Sequence, residues 1–557
     1  MPIPRTLFSM DPPADHDLSV TQGVWPADLD GELLLSAPHP TTLDGPHPFF
    51  GDGTTYRLSL HPGRHGAPSD GFAWRQRRID SPSSRLRVKR PDVFTPTVVG
   101  VQSPFGHTNA ANTAPLPWKG RLFATWDAGR PVELDPVTLG YLGDVGRRDE
   151  WIDFEVSPQP LLPMVMTTAH PVIDTERDLF WTVNTHWGSL HVVCWDGEGP
   201  LRSWPITSAL IPQSVHTIAH TRDWIIVGDC AFKVEPQVLA GGDRTEGNNR
   251  VSPLYLIRKE TLLATPPGDE VACTTVQIEP EINHYYATWD DSGGVQVLFE
   301  HVENTDIAMT QQPGDLDALG RPCDPALRGL YGLPMSPDRT SVVTFDPESG
   351  AVLHRAEQRE PELLWTRQLN AMDWSDEGRT HPTVHHTVHQ GWRPEGITQK
   401  MLALYRDRVD ESLFPGEETA PLVVTSAMPD LEITHVHELG LDDFPSSPIY
   451  APRTGESDPG GHDGYVVVPI MNDAGFRVEV FDAADVSTGP LATLSKPGFT
   501  VPFLLHSAFT SSAKPAPDVE RVRFADELDR IGELDDELAK VALEVAHELD
   551  EGISMDA

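Results

Sequence analysis

Short apolar runs of five to nine residues, bounded by Gly, Pro, Asp or Ser, recur along most of the chain. GRLFATW (120–126), DWIIVGD (223–229), GVQVLFEHV (294–302), TSVVTFD (340–346) and GYVVVPIM (464–471) are typical. Their Val, Ile, Phe and Trp content suits strands on a pleated, half-buried surface. Three longer segments repeat one arrangement of strand, Asp-containing turn and second strand: VELDPVTLGYLGDV (132–145), VVTFDPESGAVLHR (342–355) and VEVFDAADVSTGPLATL (478–494). That is the hairpin rhythm of a propeller blade or a large sandwich. The spacing has no fixed period, which argues against a WD40 or kelch array. Many strands without alternating long helices predict an all-β domain.

The pattern changes after about Pro515. Phe524, Leu528, Ile531, Leu534, Leu538, Val541, Val545 and Leu549 recur at three- and four-residue steps among Asp, Glu and Lys. This predicts an acidic amphipathic helix over 516–557, following a β domain over 1–515. The helix packs on its own domain, pairs two copies as a homodimer, or frays. Asp535 interrupts the best heptad seam and so weakens the coiled-coil reading.

Composition narrows the partners. The 557 residues carry 83 Asp+Glu against 42 Lys+Arg, a formal charge of −41. Nucleic-acid binding needs clustered cations, so this balance argues against it. It argues equally against strong binding to an anionic membrane. One basic stretch stands out, SRLRVKR (84–90). The 53 Pro and 44 Gly exceed average usage and fit frequent turns. Cys194, Cys230, Cys273 and Cys323 form no CxxC pair, which disfavours thiolate zinc and a disulfide framework. The N-terminal stretch has no apolar signal core, and no run approaches a membrane span, so the expectation is a soluble cytoplasmic protein.

The chemistry candidates are histidines. Four of the 23 stand out: His170 in MVMTTAHPVID, His216 in IPQSVHTIAH, His284 in EINHYYATWDD and His506 in VPFLLHSAF. Each sits where a strand should begin or end, with small, hydroxyl or apolar neighbours. Imidazole nitrogens with open coordination positions suit a first-row metal such as iron. Two rivals are the HxxxH pair His216/His220, which needs a helix where the pattern reads strand, and HPTVHHTVH (381–389), whose bland reading is a solvated loop.

The residues resemble the carotenoid cleavage oxygenases, a family that includes apocarotenoid oxygenases, stilbene-cleaving oxygenases and the retinal-pigment isomerohydrolase. The resemblance is carried by DLDGELLLSAPHP (28–40), FFGDGTTYRLSL (49–60), ANTAPLPWKGRLFATWDAGRPVELDPVTLGYLG (111–143), TTAHPVIDTERDLFW (167–181), the four His segments and SSPIYAPR (446–453). They lie in family order across about residues 15–515, with 301–380 matching poorly. The resemblance implies a seven-bladed β-propeller whose axis holds non-haem Fe(II) on His170, His216, His284 and His506, under a dome of helices and loops. It implies addition of O2 across a C=C bond of an apolar alkene, giving two carbonyl products. It also leaves open stilbene or phenylpropene cleavage, non-oxidative isomerisation or hydrolysis of a polyene ester, and an inactive binding module.

By the same resemblance, the three positions where relatives carry a Glu that accepts a hydrogen bond from a ligand imidazole are here Asp127, Thr380 and Ser447, which implies a more positive and weaker iron site. Asp290, Asp291 or the 381–389 histidines are candidates to compensate. The residue before the first acid, Lys in stilbene-cleaving relatives, is Trp126, which offers stacking area but no cation for a phenolate; that disfavours a 4-hydroxystilbene or isoeugenol and leaves apocarotenoids or another apolar alkene ahead. Tyr285, Tyr286, Trp289, Phe503 and Phe509, with Trp126, are candidates to line the tunnel; ordinary propeller core is the alternative for each. The acidic surface suggests a shorter substrate that arrives through water.

Overall fold

A computed structural model describes residues 3–8, 14–39, 51–97, 100–154, 158–233, 244–370, 382–455 and 460–553. The fold is mostly β. Five four-stranded antiparallel sheets follow one another along the chain, and a ten-stranded sheet joins its two ends. The repeated Asp turns explain the hairpins. Asp135 accepts the N–H groups of Val137 (3.0 Å) and Thr138 (2.7 Å), while Leu139 takes a left-handed φ of 62°. Asp346 does the same for Ser349 N–H at 2.8 Å, and Gly350 supplies the positive φ. A short side chain that bonds its own backbone is what makes such turns.

In the ten-stranded sheet, Asp15–Gly23 is the link. It pairs with Ala492–Ser495 on one side (Ser19 opposite Ser495) and Phe72–Arg78 on the other (Asp15 opposite Arg75). Late in the chain, Ser507–Thr510 adds to Glu32–Pro38, with Phe509 opposite Leu33. Edge strands of the sheets pack on one another: Val172–Asp174 on Ile218–His220, the latter on Ile282–Ala287, and Ser507–Thr510 on Ala114–Trp118. They surround a central channel of about 140 Å³.

Four α-helices occur among the described residues: α1 (Pro82–Lys89), α2 (Lys259–Ala264), α3 (Gln399–Leu404) and α4 (Asp536–Asp550). None is long and apolar enough to cross a membrane. The expected continuous C-terminal helix is shorter. Phe524–Glu527 and Ile531–Glu533 are separate 3-10 turns, and α4 starts only at Asp536. Asp535 is its N-cap, accepting Leu538 N–H at 2.9 Å; the residue that spoils a heptad seam is the start signal. The apolar face of α4 (Leu538, Ala542, Val545, Ala546) packs on Leu86, Phe94, Phe105 and Leu162 of its own chain. Leu543 remains 55% exposed, so pairing through α4 would use only this outward face.

The basic stretch 84–90 is not a free cationic patch. It forms most of α1, and its charges are answered: Arg85 by Asp80 (2.5 Å), Arg87 by Asp52 (2.6 Å), Lys89 by Glu548 (2.7 Å) and Arg90 by Glu537 (3.1 Å). The histidine-rich stretch, read as a solvated loop, is a buried strand over Val384–His389. His386 there bonds Thr425 Oγ1 (2.9 Å) and Gly461 O (2.8 Å).

Candidate metal centre

The four expected histidines converge. His170 lies two residues before Val172–Asp174, His216 two before Ile218–His220, His284 within Ile282–Ala287 and His506 immediately before Ser507–Thr510. Each is thus placed beside the central channel by an edge strand of its sheet. Ring centroids are 4.2 Å apart for His170–His506, 4.9 Å for His170–His216 and His216–His284, and 5.3 Å for His284–His506. One nitrogen from each ring lies within 4.8 Å of the other three.

The donor set fits a cation. The Nε2 atoms of His216 and His284 face each other at 3.1 Å, and His170 Nε2 is buried with no hydrogen-bond partner in the described structure. Such inward-facing nitrogens are costly unless something shares them. Burial, then neighbouring imidazoles, hold His170, His284 and His506 well below the ordinary histidine range. They are therefore neutral, the form that binds metal.

The backbone holds this geometry. His170 N–H donates to His216 O at 3.3 Å, and Thr168 Oγ1 donates to the same oxygen at 2.7 Å. Asp127, just after the strand Arg121–Thr125, accepts from His216 Nδ1 at 2.9 and 3.0 Å through its two oxygens. Its Oδ1 also takes Ala169 N–H at 3.2 Å. The carboxylate so orients His216 with Nε2 inward. Ser447 is buried and accepts from Ser507 Oγ at 3.1 Å, one residue beyond His506. Thr380 lies outside the described residues. Asp291 does not support the imidazoles; Thr221 Oγ1 (2.6 Å), Asp223 N–H (2.9 Å) and Arg222 (3.0 Å) occupy it. Asp290 caps a turn at Ser292 N–H, 3.0 Å away. His220 contacts Lys259 Nζ at 3.0 Å and does not join His216 at the centre.

Space opens on both sides of the histidines. His216, His284 and His506 border a cavity of about 220 Å³. His170 and His506 border the central channel on the other side. Among the expected tunnel residues, Trp126 and Phe503 line the cavity. Tyr285, Tyr286 and Phe509 line the channel instead. Tyr285 is fully buried, accepting Gly228 N–H at 2.6 Å and donating to Thr217 O. Trp289 lines neither space. Lys259 Nζ lies 5.1 Å from the centroid of its ring, and His220 meets it edge-on.

Sequence reasoning missed other cavity residues. Phe232 covers His216 with ring centroids 5.0 Å apart. Glu300 sits opposite His284 in the strand register. Arg367 binds Asp338 at 2.7 Å within the same wall. A signal for Glu300 was present: a charge inside the apolar run GVQVLFEHV implies a polar partner where the sheet is covered.

A mostly β, propeller-like scaffold with four imidazoles converging at its axis defines a protein built to hold one metal ion. The family model described as retinal pigment epithelial membrane protein matches residues 8–511, and the chain belongs to that family, the carotenoid cleavage oxygenases. Carotenoid cleavage dioxygenase 7 of Oryza sativa subsp. japonica is 33% identical over 138 residues, 23% of this chain and 22% of that protein. Resveratrol cleavage oxygenase 1 of Chaetomium globosum is 33% identical over 169 residues, 28% of this chain and 25% of that protein. The chain thus spans about a quarter of the length of these curated relatives. Two solved structures share the fold. Cobalt-substituted apocarotenoid oxygenase of Synechocystis has a TM-score of 0.61 at 18% identity, covering 91% of this chain and 98% of that one. Lignostilbene dioxygenase of Pseudomonas brassicacearum has a TM-score of 0.60 at 17% identity, covering 92% and 99%.

Proposed function

We propose that the protein is an Fe(II)-dependent oxygenase that cleaves a C=C bond of an apolar alkene with O2 to give two carbonyl products. The observation that carries this reading is the convergence of four imidazoles beside a cavity whose exposed wall is mostly apolar. We also read the six main sheets as seven blades, dividing the ten-stranded sheet into two meanders at Asp15–Gly23. The segment 516–557 then braces the 1–515 body from outside.

When bound, iron supplies the oxygen chemistry; the protein supplies position and dryness. His170, His216, His284 and His506 would hold the ion through imidazole nitrogens, which bring no negative charge to it. Asp127 keeps the His216 proton on Nδ1, so that Nε2 stays a donor toward the centre. Phe232, Trp126 and Phe503 offer faces against which a planar alkene lies, and they exclude water from it. Ser447 carries no charge, so the imidazole shell is less basic than one built on three carboxylates. Trp126 offers no cation to a phenolate, which favours substrates that bind uncharged.

The test is aerobic incubation of the Fe(II)-loaded protein with apocarotenals, stilbenes and phenylpropenes under ¹⁸O2, with product masses recorded. Two carbonyl products carrying ¹⁸O, with O2 consumed, are expected. Conversion without O2 uptake would replace the reading by isomerase or hydrolase chemistry. Binding without conversion would leave a binding module.

A further inference from the structure

The segment after the β domain is tied to the sheet that carries Asp127. Ala516 N–H donates to Asp135 Oδ2 at 2.8 Å, and Arg521 binds Glu133 at 2.9 Å. Val522 bridges to Asp144, at the end of the edge strand Tyr141–Asp144. Glu527, in the first of the 3-10 turns, reaches deepest. Its two oxygens accept from the Arg130 guanidinium at 2.9 and 2.7 Å, and Oε1 also takes Arg148 N–H at 2.7 Å. Both side chains are only 5% exposed. This strap lies beyond residues 8–511, the part that the family model matches.

Arg130 is three residues from Asp127, and the loop between them is closely packed. Asn109 Nδ2 donates to Arg130 O at 2.7 Å, and a side chain at Gly129 would collide with Asn109. Thr167 N–H donates to Asp127 O at 2.7 Å. Thr167 Oγ1 lies 2.8 Å from Gly129 O and 2.9 Å from Trp126 O. A hydroxyl has one proton, so it cannot serve both carbonyls at once, and Thr167 alone does not fix the loop. The loop presents Asp127 to His216 Nδ1 and puts Trp126 and Ala128 on the cavity wall.

We infer that Glu527 is a positioning residue for the metal centre: by gripping Arg130 it holds the 126–130 loop so that both Asp127 oxygens meet His216 Nδ1. This role presupposes the iron site of the proposed function and holds for any substrate. An outer partner fixes the orientation of a ligand ring, so a displaced carboxylate weakens the metal's grip.

The test is competition for Fe(II) between the protein and a chelator, without O2. Glu527→Gln leaves Arg130 paired with Asp144 at 2.6 Å, so no buried guanidinium is stranded. It is expected to weaken iron binding about three- to tenfold. In the Asp127→Ala background it is expected to weaken binding no further, because the loop then has no carboxylate to position. Arg130→Lys keeps the charge but loses the two-pronged contact; it is expected to show the same pattern, and it carries the test if Glu527→Gln does not fold. Arg521→Ala loosens the strap at Glu133 instead. It is expected to lower thermal stability and leave iron affinity at the parent level. Parent-like affinity in either folded variant overturns the inference. So does an equal further loss in the Asp127→Ala background, or a loss from Arg521→Ala as large as that from Glu527→Gln, since general loosening would produce both. If the parent itself binds no iron, the metal centre falls and this role with it.

Discussion

Asp127 offers the sharpest perturbation of the centre. Its carboxylate makes two contacts to His216 Nδ1, at 2.9 and 3.0 Å, and one to Ala169 N–H at 3.2 Å. Its side chain is 22% exposed, so water screens part of the charge. Removing an outer partner of a metal-bound imidazole costs about 10–100-fold in affinity, or about 1.4–2.8 kcal/mol. Asp127→Asn keeps an acceptor for the ring N–H and loses only the charge, which places it near tenfold. Asp127→Ala loses the acceptor as well and strands Ala169 N–H, which places it near a hundredfold. Competition of Fe(II) between protein and a chelator, without O2, measures both. Thermal unfolding of the metal-free variants separates loosened packing from lost orientation. Metal affinity equal to the parent in both variants, or a loss wholly matched by metal-free destabilisation, would refute the role given to Asp127.

Other consequences follow from buried groups elsewhere. Burial alone would raise the Asp52 pKa, but Arg87 at 2.6 Å and Arg78 outweigh it and hold the carboxyl well below its ordinary range. Its stability contribution is therefore complete above about pH 4 and lost as pH falls further. Asp52→Asn should cost about 3–5 kcal/mol at neutral pH and flatten the acid-unfolding curve below pH 4; a parent-like curve would contradict this. Lys259→Met removes the buried ammonium that binds Asp174 at 2.6 Å, His220 Nδ1 at 3.0 Å and Thr221 O at 2.7 Å. It should lower stability by about 1–3 kcal/mol in denaturant unfolding, since Asp174 stays fully buried but keeps Arg177 at 3.2 Å. Asp535→Ala removes the N-cap of α4 and should cost about 1 kcal/mol, seen as faster amide exchange confined to 536–550 and its contacts. Uniform exchange across the chain would argue that the cap does not act locally.

Much of this was legible in the residues. GRLFATW, DWIIVGD, GVQVLFEHV, TSVVTFD and GYVVVPIM each contain a strand, because β-branched and aromatic runs between turn formers have few other stable states. The histidines could be singled out because strand ends meet at the axis of such a fold. What stayed hidden depends on long-range packing. Val384–His389 reads as polar, yet it is buried because Thr425 and Gly461 satisfy His386 across the sheet. Tyr285 and Phe503 are alike as aromatic neighbours of ligands, but one faces the channel and the other the cavity. Phe503 lies in the irregular segment before Ser507–Thr510 and Tyr285 within Ile282–Ala287, and which space each meets depends on long-range packing that sequence neighbours do not reveal. Asp535 looked like a fault in a long helix because side-chain spacing alone does not reveal where backbone N–H groups need an acceptor.

Metal stoichiometry tests the central claim most directly. The protein reconstituted with Fe(II) without O2 and freed of loose metal should hold one iron per chain. His170→Ala and His506→Ala, folded as judged by their β-sheet circular dichroism, should hold almost none. Iron absent from the parent, or retained in full by both variants, would contradict the four-histidine centre.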